Sequence, residues 1–182
     1  IFEKAYGRIQ TMMADEGGVK AKLFGMASEV GREVSVLREQ GKNPSGMLSL
    51  KYSVTDKIIG TKIRDRFGGR IRFFISGSAA LNNDIARWFD AMGMQILEGY
   101  GMTETSAASF VARPRGYRYG TVGWPLPNTE VQIAADGEVL LRGPGNMEGY
   151  HNHPDATAET IDSEGWLHTG DIGELDERGF LR

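Results

Sequence analysis

Three short stretches group residue types that bind phosphates, sugars and metal ions. The first is LEGYGMTETS, Leu97 to Ser106. Gly99 and Gly101 flank Tyr100, so the backbone there can turn sharply and let a flat ligand come close. A tyrosine held between them offers a ring face to an aromatic base. Thr103 offers a hydroxyl to a phosphate oxygen. Glu104 offers hard carboxylate oxygens of the kind Mg²⁺ takes, one or two at a time, alongside phosphates. Base, phosphate and metal within five residues suit a nucleoside triphosphate. The same residues also suit a strand-to-loop turn with solvated polar groups. The second stretch, Gly77-Ser78-Ala79, is a run of small residues that could line a ligand or merely make a tight turn. The third, His-Thr-Gly-Asp at 168–171, ends on Asp171. An acid in that setting can accept both hydroxyls of a ribose or simply form a turn.

These stretches need elements to position them. Apolar residues at helical spacing predict a helix around Phe2 to Met13 and another through Met26, Val30, Val34 and Leu37, punctuated by Gly17-Gly18. A third helix is predicted over Val54 to Phe67, with Val54, Ile58, Ile59 and Ile63 on its buried stripe and Gly68-Gly69 as its stop. Ile71 to Ile75 reads as a buried strand. Ile85, Trp88, Phe89 and Met92 predict a helix capped by Asn82 or Asn83 and ended by Gly93. Met94 to Leu97 reads as the next strand. Strand, loop, helix, strand is a βαβ unit, which implies a parallel sheet. Ligands of such sheets sit beyond the carboxyl ends of the strands, where both Gly77-Ser78-Ala79 and Gly99 to Glu104 fall. From about Gly120 the apolar period shortens. Thr129 to Ile133 and Glu138 to Leu141 alternate around Asp136-Gly137 as a hairpin does. Asp155 to Thr160 suits one or two helical turns. The expected architecture is α/β: an α/β portion over 1–119 and a β-rich subdomain over 120–182 of the same domain.

The bulk numbers narrow the class. Apolar residues make up 40% and charged residues 25% of the 182-residue chain, as in ordinary globular proteins. A net charge of -3 does not suit nucleic acid as a partner. No apolar run approaches the roughly 20 residues that span a bilayer. The chain has 0 cysteines, which rules out disulfides and thiolate chemistry and leans towards the cytosol. Twenty-five glycines are near twice the average share of about 7% and must be placed. His151, His153 and His168 lack zinc spacing. Arg64, Arg66, Arg70 and Arg72 read as a solvated basic face, and Trp88 reads as core. No lysine follows Lys62, although chemistry at phosphates normally calls for a positive point charge.

The residues resemble a known family. GYGMTE at 99–104 looks like the signature of the adenylate-forming ligases: acyl-CoA synthetases, firefly-type luciferases and peptide-synthetase adenylation domains. It is joined in order by ISGSAAL at 75–81, GTVGWPLPNTEVQI at 120–133, GEVLLRGPGNMEGY at 137–150 and GWLHTGDIGELDERGFLR at 165–182. The first 70 residues are similar to the long-chain fatty acyl-CoA synthetase branch, so the resemblance covers essentially the whole chain. It implies that Tyr100 stacks on adenine. Gly77, Ser78 and Ala79 line the adenine and acyl-carboxylate region, and Glu98, Gly99, Gly101 and Met102 belong to the same nucleotide-binding stretch. Thr103 takes the α-phosphate, Glu104 holds Mg²⁺, and Asp171 binds the ribose. Thr103 and Glu104 are the residues expected to serve the chemistry. The implied reaction joins a fatty acid to ATP, giving acyl-AMP and pyrophosphate, and then passes the acyl group to CoA. The partners implied are small molecules, ATP, Mg²⁺, fatty acid and CoA, with peripheral membrane association open for the parent protein.

The chain also departs from the family's pattern. The phosphate loop with its lysine and the small C-terminal domain with its lysine are absent, as is the ribose-binding arginine expected a few residues after the last motif. The chain begins at Ile1 and stops at Arg182 in what reads as a strand. The expectation is therefore a piece of a longer ligase, without ligase activity by itself. Two other readings remain: an adenylate-former for a different acyl or aryl acid, and a non-catalytic nucleotide- or acyl-binding module descended from one.

Overall fold

The computed structural model describes residues 1–77 and 79–182, so Ser78 lies outside the described residues. The chain order is α1 (Phe2–Glu16), α2 (Gly18–Glu39), α3 (Gly46–Thr55), a π-helical turn (Asp56–Gly60), α4 (Thr61–Arg66), β1 (Phe73–Ser76), α5 (Asn83–Ala91) and β2 (Gln95–Tyr100). There follow a 3₁₀ turn (Thr103–Thr105), β3 (Phe110–Val111), β4 (Trp124–Pro125), β5 (Glu130–Ile133), β6 (Glu138–Arg142), α6 (Pro154–Thr160) and β7 (Leu167–Ile172). The fold is α/β, and its chain weaves through two compact units. The first comprises Ile1–Ile75, Leu81–Ile96 and Pro114–Tyr119; the second comprises Ser76–Ala80, Leu97–Arg113 and Gly120–Arg182.

The first unit is helical and is held by one apolar cluster. Ile9 of α1, Phe24 and Ala27 of α2, Ile63 of α4, and Trp88 and Phe89 of α5 meet there with Met94 and Ile96. Four aromatic rings, those of Phe2, Phe67, Phe74 and Trp88, meet Phe89 edge to face. Trp88 is core, as its helical spacing requires, and its indole N–H donates to Ser28 Oγ at 3.3 Å. Helix α5 begins where the sequence places it. The Asn82 side chain accepts from the amides of Asp84 (2.9 Å) and Ile85 (3.3 Å), two donors the first helical turn leaves unpaired. Asn82→Ala is expected to lower stability by about 1 kcal/mol, read as a lower denaturant midpoint at unchanged slope.

Two expectations for this unit need correction. The third helix starts at Gly46, eight residues before Val54, and runs through the π turn to Arg66. Its assumed buried stripe is only partly buried: Ile63 is core, while Val54 and Ile58 are exposed. Arg64 is also no part of a solvated face. Its Nη1 and Nη2 donate to Asp56 Oδ1 and Oδ2 at 2.5 and 3.0 Å, and Nη1 donates to the Met92 carbonyl at 2.8 Å. That carbonyl lies at the C-terminus of α5, where a cation completes the helix end. Gly93 makes room for it: its φ is 75°, and a Cβ there would lie 2.7 Å from Arg64 Nη1.

The strands build the site. One sheet runs β1-β2-β3-β4 and the other β5-β6-β7. The βαβ unit is present as β1–α5–β2, but the β2–β3 and β3–β4 pairs are antiparallel, so the first sheet is mixed. Strand β2 reaches further than Leu97. Gly99 and Tyr100 pair with Val111 and Phe110, because a partner strand overrides the poor strand preference of glycine. The expected hairpin forms β5 and β6, with Val131 opposite Leu141 and Ile133 opposite Val139. Phe110, Val139, Leu141 and Leu181 form the apolar core of the second unit.

Candidate functional site

All the described residues that the sequence selects for nucleotide chemistry fall in the second unit. A Cβ on Gly77 would lie 3.4 Å from the Gly99 carbonyl oxygen, so Gly77 lies beside the end of β2. Ala79 is exposed on the same short segment, and Glu98 is buried within β2. The backbone leaves β2 at Tyr100 and coils into the 3₁₀ turn. Thr105 pins that turn: its Oγ1 accepts from the Met102 amide at 3.2 Å and donates to the Met102 carbonyl at 3.1 Å. Gly101 is obligatory for a plain steric reason. A Cβ there would collide with the Ala107 carbonyl and come within 2.8 Å of Ala108 Cα. The result presents Thr103 to solvent, with no side-chain hydrogen bond among the described residues.

Tyr100 and Asp171 come together from positions 71 residues apart. The Tyr100 hydroxyl donates to Asp171 Oδ2 at 2.6 Å, and its ring packs 6.1 Å from Phe110. Asp171 is exposed and sits inside strand β7, not in the turn that its residue type also allowed. The strand forms because Leu167 and His168 pair with Leu141 and Leu140 of β6. The intervening residues are tied to β6: Thr169 Oγ1 donates to the Val139 carbonyl at 2.7 Å, and the Gly170 amide donates to Glu138 Oε1 at 2.8 Å. His168 is engaged with Glu138 Oε2 at 2.8 Å through Nδ1.

Burial first, and the Asp171 hydrogen bond second, push the Tyr100 hydroxyl up to about 12. The unfolded chain titrates its tyrosines near 10. The folded state thus favours the neutral phenol. This stabilisation is fully present below pH of about 10 and fades as pH rises towards about 12. Tyr100→Phe removes it. The stability gap between wild type and Tyr100→Phe is expected to narrow as pH climbs through that window, measured by urea titration at stepped alkaline pH.

Glu104 is partly exposed in the middle of the 3₁₀ turn, and one neighbouring segment holds both its ends. The Met147 amide donates to the Glu104 carbonyl at 2.7 Å. The Tyr150 hydroxyl donates to Glu104 Oε1 at 2.7 Å and holds the carboxyl below its ordinary range. Sequence reasoning missed Tyr150 as a site residue. The available signal was a phenol closing the stretch GEVLLRGPGNMEGY. Among the described residues no group of three or more His, Asp or Glu could hold a metal by itself. A single carboxylate that stays charged suits a cation that arrives with its own phosphate ligands. No helix among the described residues is long and apolar enough to cross a membrane.

Residues 15–151 match the family described as AMP-binding enzyme. Long-chain-fatty-acid–CoA ligase FadD15 of Mycobacterium bovis is 35% identical over 181 residues, covering 100% of this chain and 30% of that protein. Long-chain-fatty-acid–CoA ligase 1 of Homo sapiens is 30% identical, covering 100% of this chain and 26% of its own length. A malonyl-CoA ligase solved with methylmalonyl-CoA and AMP bound is similar at 35% identity and a TM-score of 0.58, over 74% of this chain and 31% of that one. The chain spans about a third of the length of the curated relatives it matches. The match over most of its residues, a span that includes Tyr100 and Glu104, decides the family: this chain belongs to the AMP-binding enzymes.

Proposed function

We propose that this chain supplies the nucleotide-binding part of a long-chain fatty acid–CoA ligase. The observation that carries the reading is the Tyr100–Asp171 hydrogen bond, which sets a ring beside a carboxylate at the end of β2. A ring face for adenine and a carboxylate for the ribose hydroxyls are two thirds of a nucleotide site. The remaining third is phosphate, and the adjoining turn carries Thr103 and Glu104.

Each residue then has a task. Tyr100 stacks on the base, and Gly77, Ser78 and Ala79 line the pocket through small side chains and backbone. Glu98, Gly99, Gly101 and Met102 shape the strand end and turn. Asp171 takes the ribose hydroxyls, giving up the Tyr100 phenol as partner or sharing it. Thr103 donates to the α-phosphate and orients it for in-line attack by the fatty acid carboxylate. Glu104 would hold Mg²⁺, and the fit is that of one charged carboxylate beside incoming phosphates. Mg²⁺, when bound, neutralises charge on the phosphate oxygens. The acyl group passes from AMP to CoA in the second half of the reaction.

The curated relatives act on long-chain fatty acids by name, while the matched structure is a malonyl-CoA ligase, so the acid is what an experiment must decide. Pyrophosphate release is measured with ATP, Mg²⁺ and palmitate, and again with benzoate and malonate, in the protein that carries this chain. Palmitate is expected to give the fastest release. Faster release with either short acid rejects the long-chain reading, and no nucleotide binding at all rejects the family chemistry for this chain.

A further inference from the structure

The first unit holds a cavity that the nucleotide chemistry does not use. It measures about 290 Å³ and lies among α1, α2, the π turn and α4. Its walls are apolar, with Ile9, Met12, Leu23, Ile58 and Ile63 from four separate elements. Its rim is cationic, with Lys20, Lys62 and Arg66 set against a single acid, Glu16. The rim charges differ in how they are engaged. Lys20 is paired with Glu16 at 3.1 Å, and Arg66 Nη1 lies against Met12 Sδ at 2.7 Å. Lys62 has no ion pair or hydrogen bond among the described residues. An apolar hole with an unengaged cation at its mouth matches an anion that carries a hydrocarbon tail.

We propose that this cavity binds the anion of a free fatty acid, tail inward and carboxylate at Lys62. The volume separates this ligand from a diacyl lipid. At about 290 Å³ it lies at the bottom of the range of ligand pockets, about 300–1,000 Å³, and has room for one slender chain. Methionine in the wall suits a chain without fixed shape, because its unbranched thioether adapts. All the residues that line the cavity belong to the first unit, and none is among those proposed to bind nucleotide. The inference therefore stands apart from the ligase reading, and a ligase with such a site would sense its own acid substrate.

The test uses dodecanoate as the probe, below its micelle concentration, with calorimetry for affinity and hydrogen exchange for location. Protection is expected over residues 9–23 and 58–66. Lys62→Glu, an exposed change that leaves the fold intact, is expected to weaken binding about fivefold or more, while Lys62→Arg retains it. Dodecanol, with the same tail and no charge, is expected to bind less tightly than dodecanoate. Binding unchanged by Lys62→Glu overturns the proposal, as does protection confined to the second unit. So does binding to phosphatidylcholine vesicles without binding of monomeric dodecanoate. Glu104→Gln serves as the control for the other site: it is expected to leave dodecanoate binding untouched.

Discussion

Glu104→Gln is expected to abolish the Mg²⁺-dependent tightening of ATP binding while leaving AMP binding in place. The amide keeps the size and one oxygen but loses the charge, which is the property a hard cation selects. AMP lacks the triphosphate that would bring the ion in, so its affinity would rest on Tyr100 and Asp171. The loss in adenylation rate of the protein that carries this chain is expected to be about 100-fold or more, the upper end of what loss of a supporting partner does to a metal site. Calorimetry with ATP, with and without Mg²⁺, checks the first part. Equal Mg²⁺ dependence in wild type and variant would remove Glu104 from the proposed role. The pH dependence carries a sign. Tyr150 holds the Glu104 carboxyl below its usual range, so the carboxylate persists on acidification and its Mg²⁺ effect is lost only as pH falls through that lowered value. Tyr150→Phe lets the carboxyl return towards its ordinary range and moves the loss to higher pH.

Phe89→Ala is expected to cost about 3–5 kcal/mol, the largest stability effect of any single change considered for this chain. Phe89 is 0% exposed, and its ring meets Trp88, Phe2, Phe67 and Phe74 at centroid distances of 5.2, 5.5, 6.0 and 6.2 Å, all edge-on. Each such pair adds roughly 0.5–1.5 kcal/mol beyond burial. Removing the ring leaves four others facing a hole that rigid helices cannot close. Phe89→Leu keeps most of the volume and is expected to cost about 1.5 kcal/mol or less. Thermal and urea unfolding of the two variants measure the difference. Similar costs for Ala and Leu would mean that the ring edges, lost in both variants, carry most of the cost and the filled volume little.

How much of this was legible beforehand differs by residue, and the difference is physical. Helix α5 was readable because its signals are local: Asn82 caps two amides within three residues, and Gly93 takes the positive φ that ends the helix. The start of α3 was not, since the apolar spacing used to find it follows Val54 and Ile58, which face solvent. The cue lay at Ser45, an N-cap type just after Pro44 and before Gly46. The end of β2 was misplaced because Gly99 and Tyr100 owe their extended form to β3, a strand of two residues that no periodicity announces. Within the candidate site, residue types and spacing named Tyr100, Glu104 and Asp171. They could not place Tyr150 on Glu104, a hydrogen bond across 46 positions of sequence.

The double hold on Glu104 has a consequence for engineering. Its carbonyl and its carboxylate are both tied to one stretch, through the Met147 amide and the Tyr150 hydroxyl, and a Cβ on Gly145 would lie 3.3 Å from the Thr105 carbonyl. Residues 99–106 and 143–150 therefore form one exchangeable cassette in two pieces. A chimera that imports a foreign turn but keeps the native second stretch inherits a mismatched clamp, whereas grafting both together carries the geometry of the acid intact.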